Sequence, residues 1–147
     1  MTGPATGTVD PFGLARFLEA QAPVMPQVLR ELSEGRKRTH WMWFVFPQLA
    51  GLGRSEMAQH YAIASLDEAR AYLAHPVLGP RLQDCTALVN VERARTAHEI
   101  FGSPDDLKFR SCMTLFDAAR PEAEFRAALE QFFGGQGCPE TLRRLAG

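Results

Sequence analysis

The sequence predicts an all-α fold, built as a single irregular domain of about seven helices. Apolar residues recur at steps of three and four along most of the chain, which is the spacing of one helix face. Polar and apolar residues do not alternate over the length of a strand, except in one ambiguous stretch at residues 41–46. With 147 residues, of which 46% are hydrophobic, the chain can bury the core of one domain.

The first nine residues differ in composition from the rest. They are small, polar and rich in glycine and threonine, so burial cannot offset the entropy lost on ordering them. We expect a flexible tail at residues 1–9 and one helical domain over residues 10–147. Asp10 and Pro11 supply the N-cap and first position of a first helix, and Gly35 suits the left-handed residue after a second helix that begins near Met25.

The later helices are recognised by their start signals. Capping residues or early prolines mark these starts at Ser55, Ser65, Pro76, Thr96, Ser103 and Pro139. The strongest signal combines Ser103 as N-cap, Pro104 at the first position and two carboxylates, Asp105 and Asp106, that complement the helix dipole. Another helix, with an apolar stripe that begins at Phe125, closes at two consecutive glycines, residues 134–135.

The aromatic segment at residues 41–46 has no clean period. In an extended segment Trp41 and Trp43 would lie on one face, but phenylalanines would then occupy the opposite face as well. Neither face would be polar, so the pattern does not distinguish a short helix from an extended segment. Pro47 disfavours helical angles in the residue before it, so a helix must end by Val45. Two indoles with one residue between them diverge by about 200° on a helix, so we expect Trp41 in the core and Trp43 facing a cavity.

Charge and cysteine content exclude several function classes. The formal net charge is −1, with a local excess of +3 over residues 35–60, which is too little basic surface for general nucleic-acid binding. The three cysteines are widely spaced and do not indicate a disulfide framework or a zinc site. Since signal-peptide and membrane-span patterns are also missing from the sequence, we expect a cytoplasmic protein without metal or cofactor.

Polar residues around the aromatic segment predict a small-molecule pocket. Its expected lining is His40, Trp43, Gln48, Arg54, Ser55, Tyr61, Asp106, Lys108 and Ser111. The catalytic candidates among them are His40, Asp106 and Lys108, because imidazole, carboxylate and amine groups transfer protons. Ligand binding is assigned to Trp43, Gln48, Arg54, Ser55, Tyr61, Lys108 and Ser111. Cationic groups match phosphates, and an indole offers a face on which a nucleobase can stack.

Each of these residues also has a purely structural interpretation. The basic run at residues 36–38 is either an anion clamp or a solvated turn, and His40 is either a proton carrier or a structural histidine. Gln48 either contacts a ligand or holds the glycine loop. Asp106 either faces the pocket or, like Asp105, serves the helix dipole. The sequence leaves these alternatives open.

Three strings carry a resemblance to a known family: GRKRTHWMWFVFPQLAGLGRSEMAQHYAI, SLDEARAYLAHPVLGPRL and SPDDLKFRSCMTLF. Together they resemble the small bacterial family filed as domain of unknown function eighteen-ten, from about residue 10 to residue 133. The resemblance implies one multihelical domain and no mechanism. Members are often labelled calpastatin, but such inhibitors are long and disordered, whereas this composition is that of a compact domain.

Two function hypotheses follow from the sequence. In the first, the pocket binds a phosphorylated or nucleotide-like small molecule and hydrolyses it, as a hydrolase or glycosidase acting on a nucleotide-derived compound. In the second, the aromatic and basic segment is a protein-interaction or oligomerisation surface without enzymatic activity. The expected partner is an anionic small molecule rather than a membrane or nucleic acid, and the oligomeric state is left open.

Overall fold

The computed structural model describes residues 10–121 and 123–147, and this part of the chain contains ten helices. They are α1 Ala15–Gln21, α2 Met25–Ser33, α3 Met42–Val45, α4 Glu56–His60, α5 Leu66–Ala74, α6 Leu78–Asn90, α7 Ala97–Phe101, α8 Asp105–Ala119, α9 Ala123–Phe133 and α10 Pro139–Ala146. The all-α class is confirmed. The count exceeds seven because α3, α4 and α7 are helices of only four or five residues. The predicted tail, residues 1–9, lies outside the described residues.

Helix α8 occupies the centre of the fold. Its fifteen residues include a fully buried stripe that contains Phe109, Cys112, Met113 and Phe116. Helices α5, α7, α9 and α10 pack against it, while α6 packs against α2, α5 and α9. The candidate site residues on α8 are therefore held on a helix that packs against four others.

Two helix starts differ from the sequence prediction. Asp10 accepts hydrogen bonds from the backbone nitrogens of Leu14 and Ala15 at 2.7 and 2.9 Å, so its carboxylate serves a helix that begins later than expected. Ser103 is not the N-cap of α8, and that prediction was wrong. Pro104 occupies the cap position after a cis peptide bond, and no side-chain cap is present there.

A buried carboxylate organises the turn between α2 and α3. Glu31 accepts hydrogen bonds from the Trp41 Nε1 at 2.9 Å, the Thr39 Oγ1 at 2.6 Å, the backbone nitrogens of Arg38 and Thr39 at 2.7 and 3.1 Å, and the Gln27 Nε2 at 2.7 Å. Burial alone would raise the pKa of Glu31, but these hydrogen bonds outweigh it and lower the pKa to about 2. The network fixes the direction in which the chain enters α3.

The loop at residues 50–62 is closed at its base. The Ile63 nitrogen donates to the Gln48 carbonyl at 2.8 Å, and the Ala50 nitrogen donates to the Ile63 carbonyl at 2.8 Å, which forms an isolated bridge between Leu49 and Ile63. Helix α4 lies within this loop and has no buried residue. The loop is therefore anchored at its ends and loosely packed along its helix.

Candidate functional site

Trp43 lies in α3 and is the least buried side chain of the aromatic segment. Trp41, Met42, Phe44, Val45 and Phe46 are all buried, whereas Trp43 is partly exposed. The segment is helical from Met42 to Val45, which settles the ambiguity left by the sequence. Since a four-residue helix cannot bury every side chain of so apolar a segment, one indole is left facing outward.

One side of Trp43 borders a narrow cleft, here called the Trp43 cleft. Its lining includes Trp43, Gln48, Gly53, Tyr61 and Lys108. The Lys108 Nζ lies 5.5 Å from the centroid of the indole, within the range of a cation–π contact. The cleft has a volume of about 10 Å³, room for about one water molecule.

A wider cleft, here called the His40 cleft, also borders Trp43. Its volume is about 230 Å³, and its lining is Lys37, His40, Met42, Trp43, Ser103, Pro104 and Asp105. The two clefts share Met42 and Trp43. The indole is therefore accessible from two directions, one of which has space for a ring.

Asp105 connects the charged groups around these clefts. Its Oδ2 lies 2.9 Å from the Lys37 Nζ, and its Oδ1 lies 3.5 Å from the Lys108 Nζ. The Lys37 side chain is 7% exposed, and its ammonium lies 5.2 Å from the Trp41 ring centroid. One carboxylate thus faces two ammonium groups, and the cluster has a net positive charge.

The structure brings together part of the predicted pocket. The predicted residues that line the two clefts are His40, Trp43, Gln48, Tyr61 and Lys108. Arg54 and Ser55 are exposed and line neither cleft; Ser55 instead caps α4 by accepting from the Ala58 nitrogen at 3.1 Å. Their assignment followed from proximity along the chain, which does not fix where a loop side chain points.

Two further predicted residues also lie apart from the clefts. The Asp106 Oδ2 is 3.4 Å from the His98 Nδ1, on the other side of the α8 start. Ser111 is buried, and its hydroxyl donates to the Leu107 carbonyl at 3.1 Å and to the Cys138 Sγ at 3.3 Å. Neither side chain borders Trp43.

The match to a protein family covers nearly the whole sequence. The family described as "Protein of unknown function (DUF1810)" matches residues 11–145. The chain belongs to this family. The DUF1810 chain is also similar to a solved structure, that of the conserved hypothetical protein Rv1873 from Mycobacterium tuberculosis. The two chains are 55% identical, with a TM-score of 0.93 over 94% of this chain and 99% of that one.

None of the curated proteins matches this DUF1810 sequence. Over the residues that the structure describes, its helices are too short or too polar to cross a membrane. The geometry around Trp43 is therefore the main guide to its function.

The sequence did not place Lys37 and Asp105 in the candidate site, although both line the His40 cleft. Asp105 shares a helix face with Lys108 because the two are three positions apart, and this spacing was the available signal. Lys37 was considered only as part of a basic run. Its contact with Asp105 joins residues 68 positions apart, which only the folded chain brings together.

Cys138 differs in environment from the two other cysteines of this DUF1810 chain. Burial alone would raise the pKa of Cys138, but hydrogen bonds from Ser111 and from Thr141 and Glu140 at the start of α10 lower it. Burial raises the pKa of Cys85 to about 12 and the pKa of Cys112 well above its ordinary value. Cys138 is therefore the thiol with the largest thiolate fraction near neutral pH.

We expect iodoacetamide at pH 7.5 to alkylate Cys138 at least tenfold faster than Cys85 or Cys112, because the thiolate is the nucleophile. Peptide mass spectrometry of the folded protein measures the three rates. Ser111→Ala is the matched variant, since it removes one donor to the sulfur and should slow the reaction at pH 7.5. Equal rates at all three cysteines in folded protein would contradict the lowered pKa of Cys138.

Proposed function

We propose that this DUF1810 protein binds a phosphorylated or nucleotide-like small molecule beside Trp43. The observation that carries the proposal is a partly exposed indole between two clefts, with the Lys108 ammonium 5.5 Å from its centroid. A planar heterocycle can stack on the indole while an ammonium contacts an anionic substituent. Both halves of a nucleotide-like compound would find a partner within a few ångströms of Trp43.

The sizes of the clefts support an orientation for this ligand. Pockets for drug-sized ligands usually have volumes of about 300–1,000 Å³. The His40 cleft, at about 230 Å³, is smaller and suits a single ring or sugar. The Trp43 cleft has no comparable space. The ring is therefore assigned to the His40 cleft. Its anionic group is directed past the indole toward Lys108, whose ammonium lies 3.5 Å from Asp105 of the same cleft.

Proton carriers near the ring support hydrolysis as the reaction. His40 and Asp105 both line the His40 cleft. An imidazole can serve as general acid or general base. Asp105 is paired with Lys37 at 2.9 Å, so its role would be electrostatic. His40 is the catalytic candidate of this proposal, together with Lys108, whereas Asp106 is not, because it faces His98.

Burial of the aromatic segment favours a ligand site over the alternative, an interaction domain. An interaction surface of this kind needs a contiguous exposed aromatic patch. Trp41 and Phe46 are each 1% exposed, and Phe44 is 7% exposed. Trp43 by itself offers too small an apolar surface for a stable protein interface.

The test is a thermal-shift screen of nucleotides, sugar phosphates and ADP-ribose-like compounds, followed by calorimetry on any hit. We expect Lys108→Ala to weaken binding about ten- to a hundredfold, since a charge-assisted contact is worth about 1.5–3 kcal/mol. Trp43→Ala should weaken it as well. Arg54→Ala is the matched control, because it removes one positive charge from a residue that lines neither cleft.

A hit whose affinity survives both Trp43→Ala and Lys108→Ala would place the site elsewhere. If the whole panel fails to bind, the interaction domain becomes the better hypothesis. Hydrolysis is tested by incubating the hit with the protein and following the addition of water by mass spectrometry. A turnover rate unchanged by His40→Ala would remove His40 from the mechanism.

A further inference from the structure

An open cleft lies between the chain that follows α2 and helix α7. Its volume is about 600 Å³, and its lining includes the side chains of Arg36, Lys37, Arg95, His98 and Glu99. Four nitrogen-bearing side chains thus face one carboxylate. We call this the cationic cleft. It is separate from the Trp43 cleft but adjoins the His40 cleft through Lys37, which lines both.

The backbone around the cationic cleft is fixed by hydrogen bonds. The Lys37 nitrogen donates to the Ile100 carbonyl at 2.7 Å, which joins the segment after α2 to α7. The Arg36 nitrogen donates to the Glu31 carbonyl at 3.0 Å. The Arg95 Nη1 donates to the Gly35 carbonyl at 2.9 Å, so this guanidinium is held by one edge. The cleft is therefore preformed, and its walls need little ordering when a ligand binds.

Neither arginine of the cationic cleft forms an ion pair with a residue that the structure describes. The Glu99 Oε1 accepts from the Thr96 nitrogen at 2.8 Å and is held at the helix start by this capping box. The Arg95 contacts are to backbone carbonyls, which are neutral acceptors. The Arg36 guanidinium is exposed and has no hydrogen-bond or ion-pair partner among the residues that the structure describes.

The other charged groups of the cleft are already paired. The Lys37 ammonium faces Asp105 at 2.9 Å, and the His98 Nδ1 lies 3.4 Å from Asp106. The positive charge of Lys37 is therefore offset by Asp105, and the His98 ring already faces a carboxylate. Arg36 and Arg95 remain as the groups with unused donors, in a cavity large enough for more than one tetrahedral anion.

We propose that the cationic cleft is a second binding site, which binds a phosphate or diphosphate group through Arg36 and Arg95. A guanidinium presents paired donors that match two oxygens of a phosphate. The site goes beyond the function proposed for Trp43, and it stands even if the Trp43 cleft binds no ligand. Its ligand is recognised by charge and tetrahedral shape rather than by a ring.

The experiment is a calorimetric titration of the full chain with sodium pyrophosphate at low ionic strength. We expect the variant with both Arg36→Ala and Arg95→Ala to bind at least tenfold more weakly than wild type, because two charge-assisted contacts are lost. The matched control carries Arg30→Ala and Arg93→Ala, two exposed arginines outside this cleft, so its net charge changes by the same amount. Its affinity should stay within twofold of wild type, as should that of Trp43→Ala.

Absence of pyrophosphate binding to wild type would overturn the proposal. An equal loss in the control variant would also overturn it, since the attraction would then come from net charge alone. An equal loss in Trp43→Ala would show that the site is not separate from the Trp43 cleft. If the double variant is not folded by circular dichroism, Arg36→Ala alone decides, because its guanidinium is exposed and makes no hydrogen bond or ion pair with the described residues. An affinity loss below threefold in that variant would contradict the proposal.

Discussion

Replacing Trp41 by alanine is expected to lower the free energy of unfolding by about 3–5 kcal/mol. The side chain is 1% exposed, and its ring centroid lies 6.2 Å from that of Phe46. Its Nε1 donates to the buried carboxylate of Glu31 at 2.9 Å. The substitution therefore creates a cavity and removes a hydrogen bond in the same place. Urea unfolding followed by far-UV circular dichroism measures the change.

Trp43→Ala is the matched control for this experiment. It removes the same side chain two positions further along, from a partly exposed site that borders two clefts. We expect its effect on stability to be clearly smaller than that of Trp41→Ala. A loss below about 1 kcal/mol for Trp41→Ala, or equal losses for both variants, would contradict the packing described for α3.

Replacing Glu31 by alanine is expected to lower the free energy of unfolding by about 3–5 kcal/mol, because several donors lose a charged acceptor. The variant leaves the indole of Trp41 and the backbone nitrogens of Arg38 and Thr39 without their acceptor. The indole donor is buried and the two backbone donors are part-buried, and a buried donor that loses its partner costs about 1–3 kcal/mol. Glu34→Ala is the control, since this exposed glutamate at the end of α2 pairs with Arg38 on the surface, where an ion pair is worth at most about 1 kcal/mol.

The same carboxylate makes stability depend on pH. Its pKa is lowered from an ordinary value of 4.5 to about 2, so its contribution is complete above pH 4.5 and is lost as the pH falls toward 2. The shift corresponds to about 3 kcal/mol. We expect Glu31→Gln to flatten the dependence of unfolding free energy on pH over this interval. Equal slopes in wild type and variant, from urea unfolding at several pH values, would contradict the lowered pKa.

The sequence was most informative where one helix face repeats over several turns. The stripe from Phe109 to Phe116 identified the central helix, and Gly35 ends α2 with a φ of 74° as expected for a left-handed residue. In the aromatic segment the period had too few residues to distinguish a helix from a strand. Tertiary contacts determine the conformation of this segment. The ring centroid of Phe46 lies 5.8 Å from that of Phe101 and 5.1 Å from that of Phe109.

The candidate site was predictable only in part, for a related reason. Trp43 and Lys108 could be identified by their chemistry and by the expected exposure of one indole. Asp105 has the position and charge expected of a residue that complements the helix dipole. Only the folded chain shows that its carboxylate also forms an ion pair with Lys37, at 2.9 Å. For Arg54 the sequence indicated the correct loop, but the direction of a loop side chain is not encoded by any local period.

The Trp43 cleft has two kinds of wall, one formed by helices and one formed by the loop at residues 50–62, whose base is closed. Trp43 and Lys108 belong to α3 and α8, which pack into the core, whereas Gly53 and Tyr61 belong to the loop. The backbone bonds of Gln48 and Ile63 fix the distance between the loop ends. On the Tyr61 side the loop is also tied to α1, because the Arg16 guanidinium donates to the His60 and Ala62 carbonyls at 2.8 Å. The Gly53 side precedes a helix that buries no residue, so its displacement needs less free energy. The cleft is therefore expected to widen by local movement at Gly53, while the Tyr61 wall keeps its contacts with the core.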